Sequence, residues 1–104
     1  MSMTRVAGVV VFQAKPGFGE EAAGRIAAAL PAVETEAGTT LWLVLRSQTD
    51  ADKIFLVDLF DSEDSLNAHM SGSAASQIFA TVPELLVREP ELHPSAVIAS
   101  KPAT

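Results

Sequence analysis

The chain has 104 residues, 48 % of them hydrophobic, with a formal net charge of −6 and no cysteine. That length suits one domain, residues 1–104, with a real core, and the composition is too apolar for a disordered chain. The acidic balance leaves no basic patch for nucleic acid, and the missing thiols exclude disulfides, zinc thiolate sites and iron–sulfur clusters.

The first strand is predicted over Arg5 to Gln13, apolar on both faces apart from Gly8. Its apolar part, Val6 to Phe12, is at the short limit for a signal-peptide core. Gln13, Ala14 and Lys15 follow it in place of a small-residue cleavage site, so it reads as a strand. Nothing approaches transmembrane length, and with no cysteine the expectation is a soluble cytoplasmic protein. Lys15-Pro16-Gly17 breaks the strand. A helix is predicted from about Phe18, with Phe18, Ala22, Ile26, Leu30 and Val33 on its apolar side and Glu21, Arg25 and Glu36 facing water. Pro31 should kink this helix or end it near Leu30, and Gly38 marks its far boundary.

Thr39 to Ser47 and Lys53 to Phe60 read as an antiparallel hairpin around the polar loop Gln48 to Asp52. Asp61 and Ser62 are candidate caps for a short helix ending at Met70, with Glu63 and Asp64 in its first turn. Leu66, His69 and Met70 recur at helical spacing, which puts His69 on or beside the apolar face. Ser73 is a candidate cap for the next helix, which carries Ile78, Phe79, Val82 and Leu86 along one side, bends at Pro83 and ends at Glu89-Pro90-Glu91. Leu92 to Ser100 is the last strand; Pro94 within it implies an edge position or a bulge. The tail from Lys101 reads as frayed.

The order β-α-β-β-α-β predicts an α+β, ferredoxin-like domain with a four-stranded antiparallel sheet. Two helices cover one face of such a sheet, yet these strands are apolar on both. A second copy, packed sheet to sheet, is the economical cover, so a homodimer is expected. With the hairpin loop near Asp50, Trp42 lies opposite Asp58, and Thr40 opposite Phe60. One face then carries Thr40, Trp42, Val44, Arg46, Ile54, Leu56, Asp58 and Phe60. The other carries only Leu41, Leu43, Leu45, Phe55, Val57 and Leu59. The wholly apolar set reads as plain core and the mixed set as the wall of a pocket.

In three features the chain resembles the antibiotic biosynthesis monooxygenase family. They are Lys15-Pro16-Gly17 after the first strand, Gly38 before the second, and FLVDLFDSEDSLNAHM from Phe55 to Met70, with an acidic residue two places before an aromatic and a histidine closing the helix. The resemblance implies a dimeric α+β barrel with a cavity between sheet and helices. It also implies oxidation of a phenolic or quinol-type substrate by molecular oxygen, with no cofactor and no metal. The chain departs from the family pattern in having Phe60 where tryptophan is usual and no tyrosine. Its first strand also lacks an asparagine, and Asn67 on the short helix is the only asparagine in the chain.

On that reading His69 is the candidate base, taking a proton from a phenol. The alternative is a structural helix histidine bonded to a nearby carbonyl. Trp42, Phe60 and Phe12 form candidate walls, with Asn67 added as a polar contact. Asp58, a carboxylate among apolar neighbours, needs a partner, and Arg46 or the second subunit could supply it. Arg46 could instead hold an anionic group of the substrate. His93 reads as structural or exposed. The competing function is a non-catalytic dimer that binds an apolar metabolite, and a haem-degrading enzyme ranks third. No membrane or nucleic-acid partner is expected.

Overall fold

The computed structural model describes residues 6–101, so residues 1–5, with the expected strand start at Arg5, and residues 102–104 lie outside it. The elements run β1 (Val6–Gln13), α1 (Gly19–Ala27), α2 (Leu30–Val33), β2 (Thr39–Arg46), β3 (Lys53–Phe60), α3 (Glu63–Met70), α4 (Ser73–Thr81) and β4 (Glu91–Ala96), with a 3-10 turn at Pro83–Leu85. The four strands form one antiparallel sheet in the order β2-β3-β1-β4, the ferredoxin-like arrangement. No helix among the described residues is long and apolar enough to cross a membrane.

Prolines and glycines set most of the boundaries. Gly17 takes a φ of 87°, a left-handed turn conformation that favours glycine. Asp52, from the β2–β3 loop, accepts hydrogen bonds from the Gly17 and Gly19 amides and so caps α1 from another part of the chain. Pro31 has no amide hydrogen and would crowd the Ala27 carbonyl; α1 stops at Ala27 and the chain restarts as α2 at Leu30. The Ser62 hydroxyl accepts from the Ser65 amide at 3.1 Å and caps α3. Ser73 does not cap α4; Gly72 holds that position, with no side-chain bond. Nor does α4 run to Glu89: it ends at Thr81, and Pro83 turns the chain into the 3-10 segment. β4 runs Glu91–Ala96 rather than Leu92 to Ser100, with Ala96 paired to Val6. Pro94 sits in that edge strand, opposite Gly8.

The hairpin register matches expectation at Trp42↔Asp58. A bulge between Thr39 and Leu41 puts Thr39, rather than Thr40, opposite Phe60. The two faces exchange the roles their composition suggests. The mixed face packs under the helices: Ile54, Leu56 and Phe60 are buried there with Ala22, Ile26 and Val33. The wholly apolar set is no core within this chain, since Leu41, Leu43 and Leu45 remain 39–44 % exposed. Alternation separates two faces without saying which one the helices take. The register of the sheet turns Ile54, Leu56 and Phe60 toward them.

Candidate functional site

The site begins with Gly8 and Asp58, partners across β1 and β3. A Cβ at position 8 would lie 2.5 Å from Asp58 Oδ1, so only glycine leaves space for this carboxyl against the sheet. Asp58 is buried under α3. Burial pushes its pKa up to about 6, against the pull of nearby His69 and of the Gly8 and Asp58 amides.

His69 comes down from the last turn of α3 and is 4 % exposed. Its Nε2 lies 3.6 Å from Asp58 Oδ2, close enough for charge attraction and too far for a hydrogen bond. Its Nδ1 is hydrogen-bonded to Glu36 Oε1 at 2.6 Å. The Phe60 ring packs beside the imidazole, 5.2 Å between centroids. One imidazole therefore sits between two carboxylates from different parts of the chain, one before β2 and one on β3.

Space opens on both sides of this array. On the Asp58 side a small apolar cavity of about 40 Å³ is walled by Val10, Phe12, Leu56, Ile78 and Leu92, and both His69 and Asp58 reach it. A second apolar cavity of about 140 Å³ shares Val10, Asp58, Met70 and Leu92 and reaches Pro94. On the Glu36 side lies a polar groove of about 220 Å³, lined by Glu36, Gly38, Thr39, Ser65, His69 and Ser73. A buried base, a neighbouring carboxylate and an apolar chamber can accept a proton from a hydroxyl while keeping water out.

A family model for antibiotic biosynthesis monooxygenases matches residues 5–81. The chain belongs to the antibiotic biosynthesis monooxygenase family. Among solved structures it is similar to NE2512, a protein of unknown function from Nitrosomonas europaea, at 31 % identity over 98 % of this chain and 97 % of that one, with a TM-score of 0.87. A proposed antibiotic biosynthesis monooxygenase from the same organism superposes with a TM-score of 0.84 at 13 % identity, over 94 % of each chain. Rv0793 from Mycobacterium tuberculosis gives 0.83 at 20 % identity, over 93 % of this chain and 98 % of that one. The last two likenesses speak for the fold alone. No curated protein matches the sequence.

Within this family member, His69, Asp58 and Phe12 line one cavity, and Phe60, outside its wall, packs against His69. Trp42 does not join the cavity wall: it packs against the core, and its indole N–H is buried with no partner among the described residues. Arg46 is not the partner of Asp58. It pairs with Ile54, four residues along the strand and about 13 Å away at ~3.3 Å per residue, and donates to the Ala51 carbonyl instead. Asn67 is exposed on α3, outside the cavity wall. His93 is exposed at the sheet edge beside Glu91.

Glu36 was expected to face water and turns inward to His69. Gly38, two residues on, carries the signal for this. A Cβ there would meet Ser65 Oγ at 2.0 Å and Ser65 Cβ at 2.5 Å, so the segment can lie against α3 only with glycine at that position.

Proposed function

We propose that the protein oxidises a small phenolic or quinol-type molecule with molecular oxygen, without a cofactor, as a homodimer in the cytoplasm. The observation that carries this reading is the buried His69–Asp58 pair opening on an otherwise apolar cavity. A phenol seated across this cavity and the adjoining chamber of about 140 Å³ gives its proton to His69 Nε2. The quinol anion left behind is richer in electrons and reacts with oxygen, while Asp58 stabilises the imidazolium through charge. One oxygen atom enters the ring and the other leaves as water, so that quinol and O2 give a hydroxyquinone and water with no further reductant. Val10, Phe12 and Leu56 exclude the water that would quench that anion.

Size narrows the substrate class. A cavity of about 150 Å³ holds benzene, and the larger chamber here is about 140 Å³. That chamber does not itself reach His69, so a single-ring hydroquinone meets the base only where the two spaces join at Met70, 44 % exposed at their shared edge. A polycyclic substrate needs Met70 to swing further aside. A porphyrin is far too large for either chamber.

The homodimer reading rests on the sheet face that the helices leave bare. Leu41, Leu43 and Leu45 on β2 and Phe55, Val57 and Leu59 on β3 form a contiguous apolar surface of the kind that marks an interaction site. A second copy covers it by symmetry.

A second reading, a non-catalytic binder of an apolar metabolite, draws on the missing tyrosine and on Trp42, whose N–H does not reach the cavity. Oxygen uptake with a panel of substituted hydroquinones and anthrone separates the two. Uptake above the protein-free rate with at least one compound supports oxidation. Binding of the panel with no uptake supports the second reading.

A further inference from the structure

We propose that Glu36 is the positioning residue of this site, holding His69 as the Nδ1–H tautomer so that an unprotonated Nε2 faces the apolar cavity. The catalytic meaning of this role rests on the reading of His69 as the base; the tautomer itself does not.

The argument starts from one oxygen. Glu36 Oε1 receives the Thr39 hydroxyl at 2.7 Å and lies 2.6 Å from His69 Nδ1. An ionised carboxylate only accepts hydrogen bonds, so the ring nitrogen facing it must carry the proton. Glu36 also keeps contact with water: its side chain is 18 % exposed along the polar groove, against 5 % for His69 and 6 % for Asp58. It is therefore the better solvated of the two carboxylates that compete for the imidazole's proton.

Asp58 competes from the other side, since a carboxylate at Nε2 favours the opposite tautomer. Geometry decides between them. Glu36 stands at hydrogen-bond distance and Asp58, at 3.6 Å, does not. Among the described residues no other titratable group faces the ring. α4 carries none, and Glu63 and Asp64, on the far end of α3, are exposed. A neutral imidazole so held has one acceptor left, Nε2, on the Asp58 side of the ring, where both residues border the chamber walled by Val10, Phe12 and Leu56. Thr39, the first residue of β2, is anchored opposite Phe60 and fixes the carboxylate in turn.

Nitrogen-15 NMR of the labelled protein tests this at about pH 8.5, where an ordinary imidazole is neutral. The native chain should give the shift pattern of a single Nδ1–H ring for His69. Glu36→Ala should convert it to the Nε2–H form or a mixture, Thr39→Val should do so in part, and Asp58→Asn should leave Nδ1–H in place. An Nε2–H ring in the native chain overturns the proposal with no variant needed. So does a tautomer unchanged in Glu36→Ala. With a hydroquinone that the native protein oxidises, Glu36→Ala should lose about a hundredfold in kcat, with Glu36→Gln, which still offers an accepting oxygen, recovering part of it. If the native protein oxidises nothing while the tautomer pattern holds, the oxidation reading fails and the positioning role of Glu36 stands.

Discussion

Replacing Asp58 with asparagine should stabilise the protein at neutral pH and leave it unchanged in acid. The carboxyl titrates near 6 in the folded chain against 3.8 in a free side chain, because burial penalises its charged form. A folded-state pKa above the unfolded one means that the native state binds the proton more tightly. The stabilisation is complete below about pH 4 and lost as pH rises through about 6. Two pKa units at about 1.4 kcal/mol each set the loss at about 3 kcal/mol by pH 7. Asparagine has nearly the same shape and never ionises, so it avoids that loss, and its amide can donate to His69 Nε2. Urea unfolding of both proteins at pH 4 and at pH 7 measures the difference. Equal stability at about pH 4 and a gain of about 1–3 kcal/mol for Asp58→Asn at pH 7 is the expected pattern. A variant weaker than the parent at pH 7 would mean that ionised Asp58 is a net stabilising partner of His69, and the reasoning would fail.

Gly38→Ala should destabilise by about 1–3 kcal/mol, since its methyl group would overlap Ser65 Cβ and push the Glu36 segment off α3. An unchanged melting temperature would contradict the close approach. Leu43→Arg, at the centre of the bare apolar face, should turn a dimer into a monomer in sedimentation while far-UV circular dichroism stays native. A parent that sediments as a monomer at micromolar concentration would dispose of the covering argument. His69→Ala is a poor probe by comparison, because the ring is buried and bonded to Glu36, and its removal should cost about 2–3 kcal/mol of stability as well as the base.

The fold was legible because local signals agreed. Alternation in β2 and β3, the Ser62 cap, Pro31 and Gly17 each mark a boundary through backbone chemistry that acts within a few residues. The site was legible in part. Asp58 stood out because a carboxylate in an apolar strand demands explanation, and His69 because helical spacing turned it inward. Their pairing did not, because it depends on where α3 crosses the sheet, and Arg46 offered an opposite charge on the same face of the hairpin. Glu36 was the larger miss. Helical periodicity carried on past Ala27 puts it in solvent, but the break at Ala28–Ala29 and the short α2 reset the phase. The same limit applies to the sheet faces: alternation separates the two sets without saying which will meet the helices.

The direct test of the site is oxygen uptake by the native protein and by His69→Gln, side by side on the same single-ring hydroquinone. Glutamine can still donate to Glu36 and fill most of the buried space, but it cannot take a proton. Turnover by the native protein that falls by about 10²–10⁴ in His69→Gln is the predicted result. Equal rates in the two proteins would contradict it, and would leave His69 a structural pin between Glu36 and Asp58.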